Sequence, residues 1–192
     1  MRRVVVTEFI SVDGVIEDPG GSEDWDRGGW AFQFERGEEG DKFKLNELFE
    51  VEGQLLGRVT YEGFAEAWPD RDDPMGFAER MNSMPKYVVS STLENPTWNN
   101  TAVLSGDAAD EVRRLKESGD GDVLVAGSAQ LCQALIAAGL VDELRLMVFP
   151  LILGAGKRLF PDTDAAAPLK LVESKPVGPD GVVLSIYRPK DG

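Results

Sequence analysis

Apolar positions along the chain fall into short continuous runs separated by stretches with helical spacing. Val4 to Ile10 is apolar and β-branched, the pattern of a buried strand, and Asp13-Gly14 breaks it. Asp41 to Glu50 places Phe43, Leu45, Leu48 and Phe49 at helical intervals. Gly53 to Arg58 reads as a short strand, followed by a helix that Thr60 caps and that runs to about Ala67. Phe77 to Met81 is a short helix, and Lys86 to Ser90 and Thr101 to Leu104 are strands. Asp107 opens a helix to Glu117, with Gly119 beyond its end. Val123 to Ala126 is apolar at every position, as in a strand covered on both faces, and Gly127-Ser128 turns it into a helix carrying Leu131, Leu135 and Ala138. Leu144 to Phe149 is another strand. Leu169–Lys175 and Val182–Tyr187, joined through Pro179-Asp180-Gly181, form a hairpin.

Strands therefore alternate with helices and two strands finish the chain. The pattern predicts one α/β domain over residues 1–192: a mainly parallel sheet, helices on both faces, and an antiparallel edge. Between the first strand and the first helix, Glu17 to Gly40 is rich in Gly, Asp and Glu and holds Trp25, Trp30, Phe32 and Phe34. It reads as a long functional loop. Its tryptophans suit either a ligand stack or a plug at the core edge.

Composition narrows the chemistry. The 192 residues carry 34 acidic and 20 basic side chains, a net charge of −14, which repels nucleic acid and anionic membrane at long range. Without a long apolar segment or a signal peptide, a cytoplasmic protein is expected. Histidine is absent and Cys132 is the only cysteine. That excludes His-based triads, an internal disulfide and most zinc sites, so no metal is expected. A chemistry carried mainly by a bound cofactor suits such a chain.

Three strand-to-turn junctions can present backbone N–H groups and hydroxyls to phosphate. The first is Leu55-Leu56-Gly57-Arg58-Val59-Thr60-Tyr61-Glu62, where Gly57 permits close approach and a helix N-terminus follows. Arg58 there either meets a phosphate or pairs with Glu62 or Glu66. The second is Val88-Val89-Ser90-Ser91-Thr92, whose hydroxyls serve a phosphate or the local turn. The third is Val125-Ala126-Gly127-Ser128-Ala129-Gln130-Leu131, a pyrophosphate cradle or a tight turn with Ser128 as helix cap. Lys157-Arg158 suits a substrate phosphate or solvent.

Taken in order, these junctions resemble the dihydrofolate reductase superfamily. The set is completed by Ser11-Val12-Asp13-Gly14-Val15-Ile16, and by Asp142-Glu143-Leu144 leading to Pro150-Leu151-Ile152-Leu153-Gly154-Ala155-Gly156-Lys157-Arg158-Leu159-Phe160. The closer resemblance is to the C-terminal reductase domain of the riboflavin-biosynthesis deaminase/reductase. It implies a dihydrofolate-reductase-like fold, NADPH as hydride donor, and an activity like 5-amino-6-(5-phosphoribosylamino)uracil reductase on a small heterocyclic substrate. A strict folate or pterin reductase, or a non-catalytic NADP-binding regulator, shares the same fold. The resemblance assigns Gly57, Arg58 and Thr60 to the cofactor, and Ser90 and Ser91, with Thr92, to the adenosine 2′-phosphate. It assigns Gly127, Ser128 and Ala129 to the pyrophosphate, Gln130 to the cofactor site, and Ile16 and the backbone around Ile10 to the nicotinamide. Where riboflavin reductases hold a substrate-contacting acid before the third junction's Ala-Gly, this chain has Val125.

Asp41 lies sixteen residues before Gly57, the offset at which folate reductases hold their proton-handling acid; its place at a helix start equally fits an N-cap. The apolar stretch Leu144–Leu153, too long for one protomer's edge, and the family resemblance together lead to an expected homodimer.

Overall fold

The computed structural model describes residues 1–160, 162–163 and 166–190. Eight strands form one sheet: β1 (Val4–Ser11), β2 (Gly53–Gly57), β3 (Lys86–Val89), β4 (Thr101–Leu104), β5 (Val123–Val125), β6 (Glu143–Phe149), β7 (Leu169–Val177) and β8 (Val182–Pro189). Their spatial order is β4-β3-β2-β5-β1-β6-β8-β7. The first six pair in parallel, and β8 pairs antiparallel with both β6 and β7. The helices are α1 (Gly37–Glu50), α2 (Arg58–Ala67), α3 (Phe77–Ser83), α4 (Ala108–Glu117) and α5 (Ala129–Ala137).

Two faces of the sheet are buried, which is why its central strands read as unbroken apolar runs. On β1, Val4 and Val6 join the cluster under α4 and α5 with Val112, Leu131 and Leu135. Val5 points the other way, toward Leu48 of α1 and Met81 of α3. A third cluster, Trp30, Met147, Phe149, Val182 and Leu184, fills the end beneath the long loop. Local chemistry fixes the helix starts: Asp107 accepts from the N–H groups of Ala109 and Asp110, and Ser128 from Leu131 N–H. Lys86 opens β3 fully buried. Its ammonium donates to Asn82 O (2.8 Å) and Asn99 O (3.0 Å) beneath the Trp98 ring, and burial pulls its pKa down to about 8.

Three expectations change. First, α1 begins at Gly37, four residues before Asp41, so Asp41 is not the N-cap; Arg36 stands there instead. Glu38 and Glu39 complement the positive helix end, which overrides the turn-like look of the glycines. Second, Thr60 lies inside α2, whose N-cap is Gly57. Third, β6 is an inner strand between β1 and β8. Its apolar residues are spent on this chain's own core, so they give no reason for a dimer.

No helix among the described residues is long and apolar enough to cross a membrane.

Candidate functional site

The parallel strands end on one side of the molecule, and there the sheet opens. β1 pairs with β5 only through Val4–Val6 against Val123–Val125. β2 pairs with β5 only through Gly53 and Gln54. Beyond those points β1 continues along β6 to Ser11, and β2 continues along β3 to Gly57. The junctions that follow β2 and β5 meet in the gap. A Cβ on Gly57 would stand 2.5 Å from Ser128 Oγ, and a Cβ on Gly127 would stand 3.1 Å from Thr60 Oγ1. Gly127 also has φ +70°, a conformation that side chains disfavour.

Gly57, Thr60, Gly127 and Ser128 are thus brought together from residues about seventy apart in sequence. Ser128 Oγ accepts from Leu131 N–H (3.4 Å), so it caps α5 and keeps its own hydroxyl proton to donate. Ala129 is buried and Gln130 exposed on the first turn of α5. Gly57 lies level with Val89, so Ser90 follows directly beside Arg58. Ser90 Oγ accepts from the N–H groups of Thr92 (3.1 Å) and Leu93 (3.0 Å), which is local turn chemistry; Ser91 and Thr92 are exposed. Arg58 reaches both carboxylate oxygens of Glu62 at 2.9 Å on the surface of α2. Such an exposed pair contributes only about 0–1 kcal/mol, so exchange for another anion costs little.

Ile10 and Ile16 are buried in the cluster that includes Ala129 and Leu131, beside the third junction. Val125 is wholly buried and offers no charge to a ligand. Asp41 bonds to Arg36 Nε at 2.6 Å and is half exposed, and Arg36 in turn lies over the Phe9 ring. The buried acid of α1 is instead Glu47, which receives the Thr7 hydroxyl at 2.9 Å and pairs with Lys44.

Other groups have structural tasks. Trp30 is 1% exposed, donates to Glu17 O (2.8 Å) and meets Phe149 edge-on, so it is a core plug and no ligand platform. Lys157 pairs with Glu17 and Glu23, and Arg158 lies 3.9 Å from Asp13, so both stitch loops together. Asp13 accepts from Ser11 Oγ and from the N–H groups of Leu153 and Gly154. Those bonds, the serine first, draw its pKa down to about 2.

One site group escaped the sequence reading. Glu8 is 8% exposed on β1, and its Oε1 accepts from Gly127 N–H at 2.6 Å and from the Cys132 thiol at 3.4 Å. Burial pushes its pKa up to about 7 against the pull of those bonds. The available signal was a polar pair, Thr7-Glu8, inside an otherwise apolar strand.

No group of three or more metal-ligating side chains occurs among the described residues.

An eight-stranded α/β sheet opened at its strand ends, with glycine at both facing junctions, defines a dihydrofolate-reductase-like fold. Its likeness to the Enterococcus faecalis dihydrofolate reductase complexed with NADP(H) has a TM-score of 0.62 at 17% identity, covering 98% of this chain and 97% of that one. The chain belongs to the RibD C-terminal domain family, whose pattern matches residues 2–183. It is 31% identical over 194 residues to the uncharacterized protein YyaP of Bacillus subtilis, covering 97% of this chain and 94% of that protein. A putative riboflavin biosynthesis protein from Shewanella sp. PV-4 has the same fold, with a TM-score of 0.76 and 23% identity over 98% of this chain and 99% of that one.

Proposed function

We propose that this protein is an NADPH-dependent reductase of a small heterocyclic or imine-like substrate. The observation that carries this reading is the meeting of the Gly57 and Gly127 junctions, which pack too closely for a side chain and so bring two helix starts to one place at the strand ends. Backbone N–H groups and the Ser128 hydroxyl are the natural donors for a pyrophosphate there. Family membership supports it, as does the likeness to the Enterococcus reductase, a complex with NADP(H). The residues that would hold the dinucleotide are Gly57, Arg58 and Thr60 at the first junction, Ser90, Ser91 and Thr92 at the second, and Gly127, Ser128, Ala129 and Gln130 at the third. Ile10 and Ile16 would wall the nicotinamide. When bound, the cofactor supplies hydride; the chain orients both partners and excludes water. The same reading places the protein in the cytoplasm, and makes Asp41 a substrate-facing acid once Arg36 swings away.

Preference for NADPH over NADH tests the assignment. A charge-assisted hydrogen bond is worth roughly 1.5–3 kcal/mol, and ~1.4 kcal/mol is tenfold in affinity. Arg58 leaving Glu62 for the 2′-phosphate is therefore expected to give roughly ten- to a few-hundredfold preference. Arg58→Ala should weaken NADPH far more than NADH in a fluorescence titration. Equal losses would move Arg58 to the shared pyrophosphate, and equal wild-type affinities would remove the 2′-phosphate assignment.

We further propose a homodimer, through the sheet edge. β7 is one of the two edge strands, and Leu169, Leu171 and Val172 are exposed along it. An edge strand that exposes apolar side chains, even among charges such as Lys170 and Glu173, can pair with a second copy. Light scattering should give twice the protomer mass of 21.0 kDa, and Leu171→Glu should return it to one protomer. A wild-type protomer mass at micromolar concentration would count against the dimer.

A further inference from the structure

Glu8 sits where β1 has just parted from β5, and its side chain turns toward the junction between β5 and α5. Oε1 holds both contacts, from Gly127 N–H and from the Cys132 thiol. Among the described residues no donor reaches Oε2. A carboxylate this buried ordinarily has a cation against it. Here the nearest candidates belong to the other face of the strand: Lys44 of α1 is bonded to Thr7 and paired with Glu47. The titratable groups that bear on Glu8 are therefore the Cys132 thiol from α5 and, across the strand, the Lys44 ammonium and the Glu47 carboxylate, whose effects oppose each other.

The Gly127 N–H held by Glu8 belongs to the cradle assigned above to a dinucleotide phosphate. One N–H cannot fully serve two anions, and two anions that close repel each other. We propose that Glu8 is a proton-operated gate on this cradle: ionised, it holds the Gly127 N–H and excludes the phosphate; protonated, it releases that N–H to the incoming anion. This rests on the dinucleotide reading given above. The proton comes from solvent and settles on the unpartnered Oε2, so no existing bond is broken to admit it. Oε1 is then part of a neutral acid and a weaker acceptor, and the negative charge is gone. With the carboxyl pushed up to about 7 by burial, the gate works in the neutral range. Cofactor binding takes up a proton, and it leaves a neutral acid in the cleft.

The sign follows from linkage. Above its free pKa, Glu8 must be protonated before the dinucleotide enters, so affinity falls toward tenfold per pH unit as pH rises. Titration with NADH from pH ~6 to ~9 isolates the effect, because NADH lacks the 2′-phosphate whose own second ionisation lies near ~6. Wild-type affinity is expected to stay level below pH ~7 and to fall above it. Glu8→Gln keeps a neutral acceptor for Gly127 N–H, so its profile should be flat, and at pH ~8.5 it should bind about tenfold or more tighter than wild type. Calorimetry of the unaltered protein in two buffers of different ionisation heat should show nearly one proton taken up per NADH at that pH, and none with Glu8→Gln. The wild-type count stands even if the variant folds poorly.

NADH binding with a flat wild-type profile, or proton uptake that survives Glu8→Gln, overturns the gate and leaves the dinucleotide reading intact. Failure of both NADH and NADPH to bind either protein at any pH overturns the two together.

Discussion

Arg145→Met is expected to destabilise the fold by about 3 kcal/mol, near the low end for breaking a buried ion pair from one side. Arg145 is 8% exposed on β6. It meets Glu143 Oε1 at 2.7 Å and Glu50 Oε2 at 3.0 Å, with Glu47 4.0 Å away. Methionine replaces the stem's volume and leaves Glu143 and Glu47, each 2% exposed, short of a partner. The loss is limited because Glu143 keeps Arg188 at 2.8 Å and Arg3 at 3.7 Å, and Glu47 keeps Lys44 and Thr7. Burial works to raise the Glu143 pKa, but Arg145 and Arg188 together bring it below the ordinary value. A carboxylate depressed in the folded state contributes stability above its unfolded pKa and loses it as pH falls through the folded one. The Arg145→Met deficit should therefore be full near neutrality and shrink in acid. Urea unfolding at both pH values reads it; a neutral-pH loss under about 1 kcal/mol would show that the network contributes little.

Gly57→Ala is expected to cost at least roughly a hundredfold in dinucleotide affinity while the protein remains folded. The added methyl would stand 2.5 Å from Ser128 Oγ and 3.2 Å from Ser128 Cβ. The backbone is not the obstacle: Gly57 has φ −77° and ψ 159°, which alanine adopts freely. What must give is Ser128, and with it the N-terminal turn of α5 and the floor of the gap. Overpacking of this kind costs typically about 1–3 kcal/mol, well within the stability of a domain this size. Loss of close backbone approach adds to it at the ligand, where each ~1.4 kcal/mol is tenfold. Cofactor titration and urea unfolding on the same variant separate the two effects. Wild-type affinity in Gly57→Ala would mean that no dinucleotide lies against these junctions.

Much of this architecture was legible along the chain because strands and helices differ in the period at which they bury side chains. Val4–Ile10, Val123–Val125 and the closing hairpin needed only that pattern and their turn residues. The acid-rich approach to α1 was not legible. Gly37 and Gly40 look like loop residues and outweigh the helix-start signal of Glu38 and Glu39, while the close approach of Gly37 to Gly178 is a tertiary contact. β6 misled for a different reason. A strand covered on both faces by its own chain has the same apolar composition as one covered by a partner. The edge strand with exposed apolar residues is β7, whose Lys170, Glu173 and Lys175 disguise them.

By itself the sequence determined the order of elements, the parallel sheet with its antiparallel edge, and the three glycine- and hydroxyl-bearing junctions at strand ends. Each of those is written in local spacing, since backbone hydrogen bonding and burial repeat over a few residues. Only the tertiary structure decided which junctions meet. Strand order sets β5 between β2 and β1, which puts Gly57 against Ser128 and carries Glu8 to the N–H of Gly127, 119 residues further along. No local period encodes that contact. It follows from the way the sheet pairs and then opens, and the β5–α5 junction packed against Glu8 removes it from water and raises its affinity for a proton.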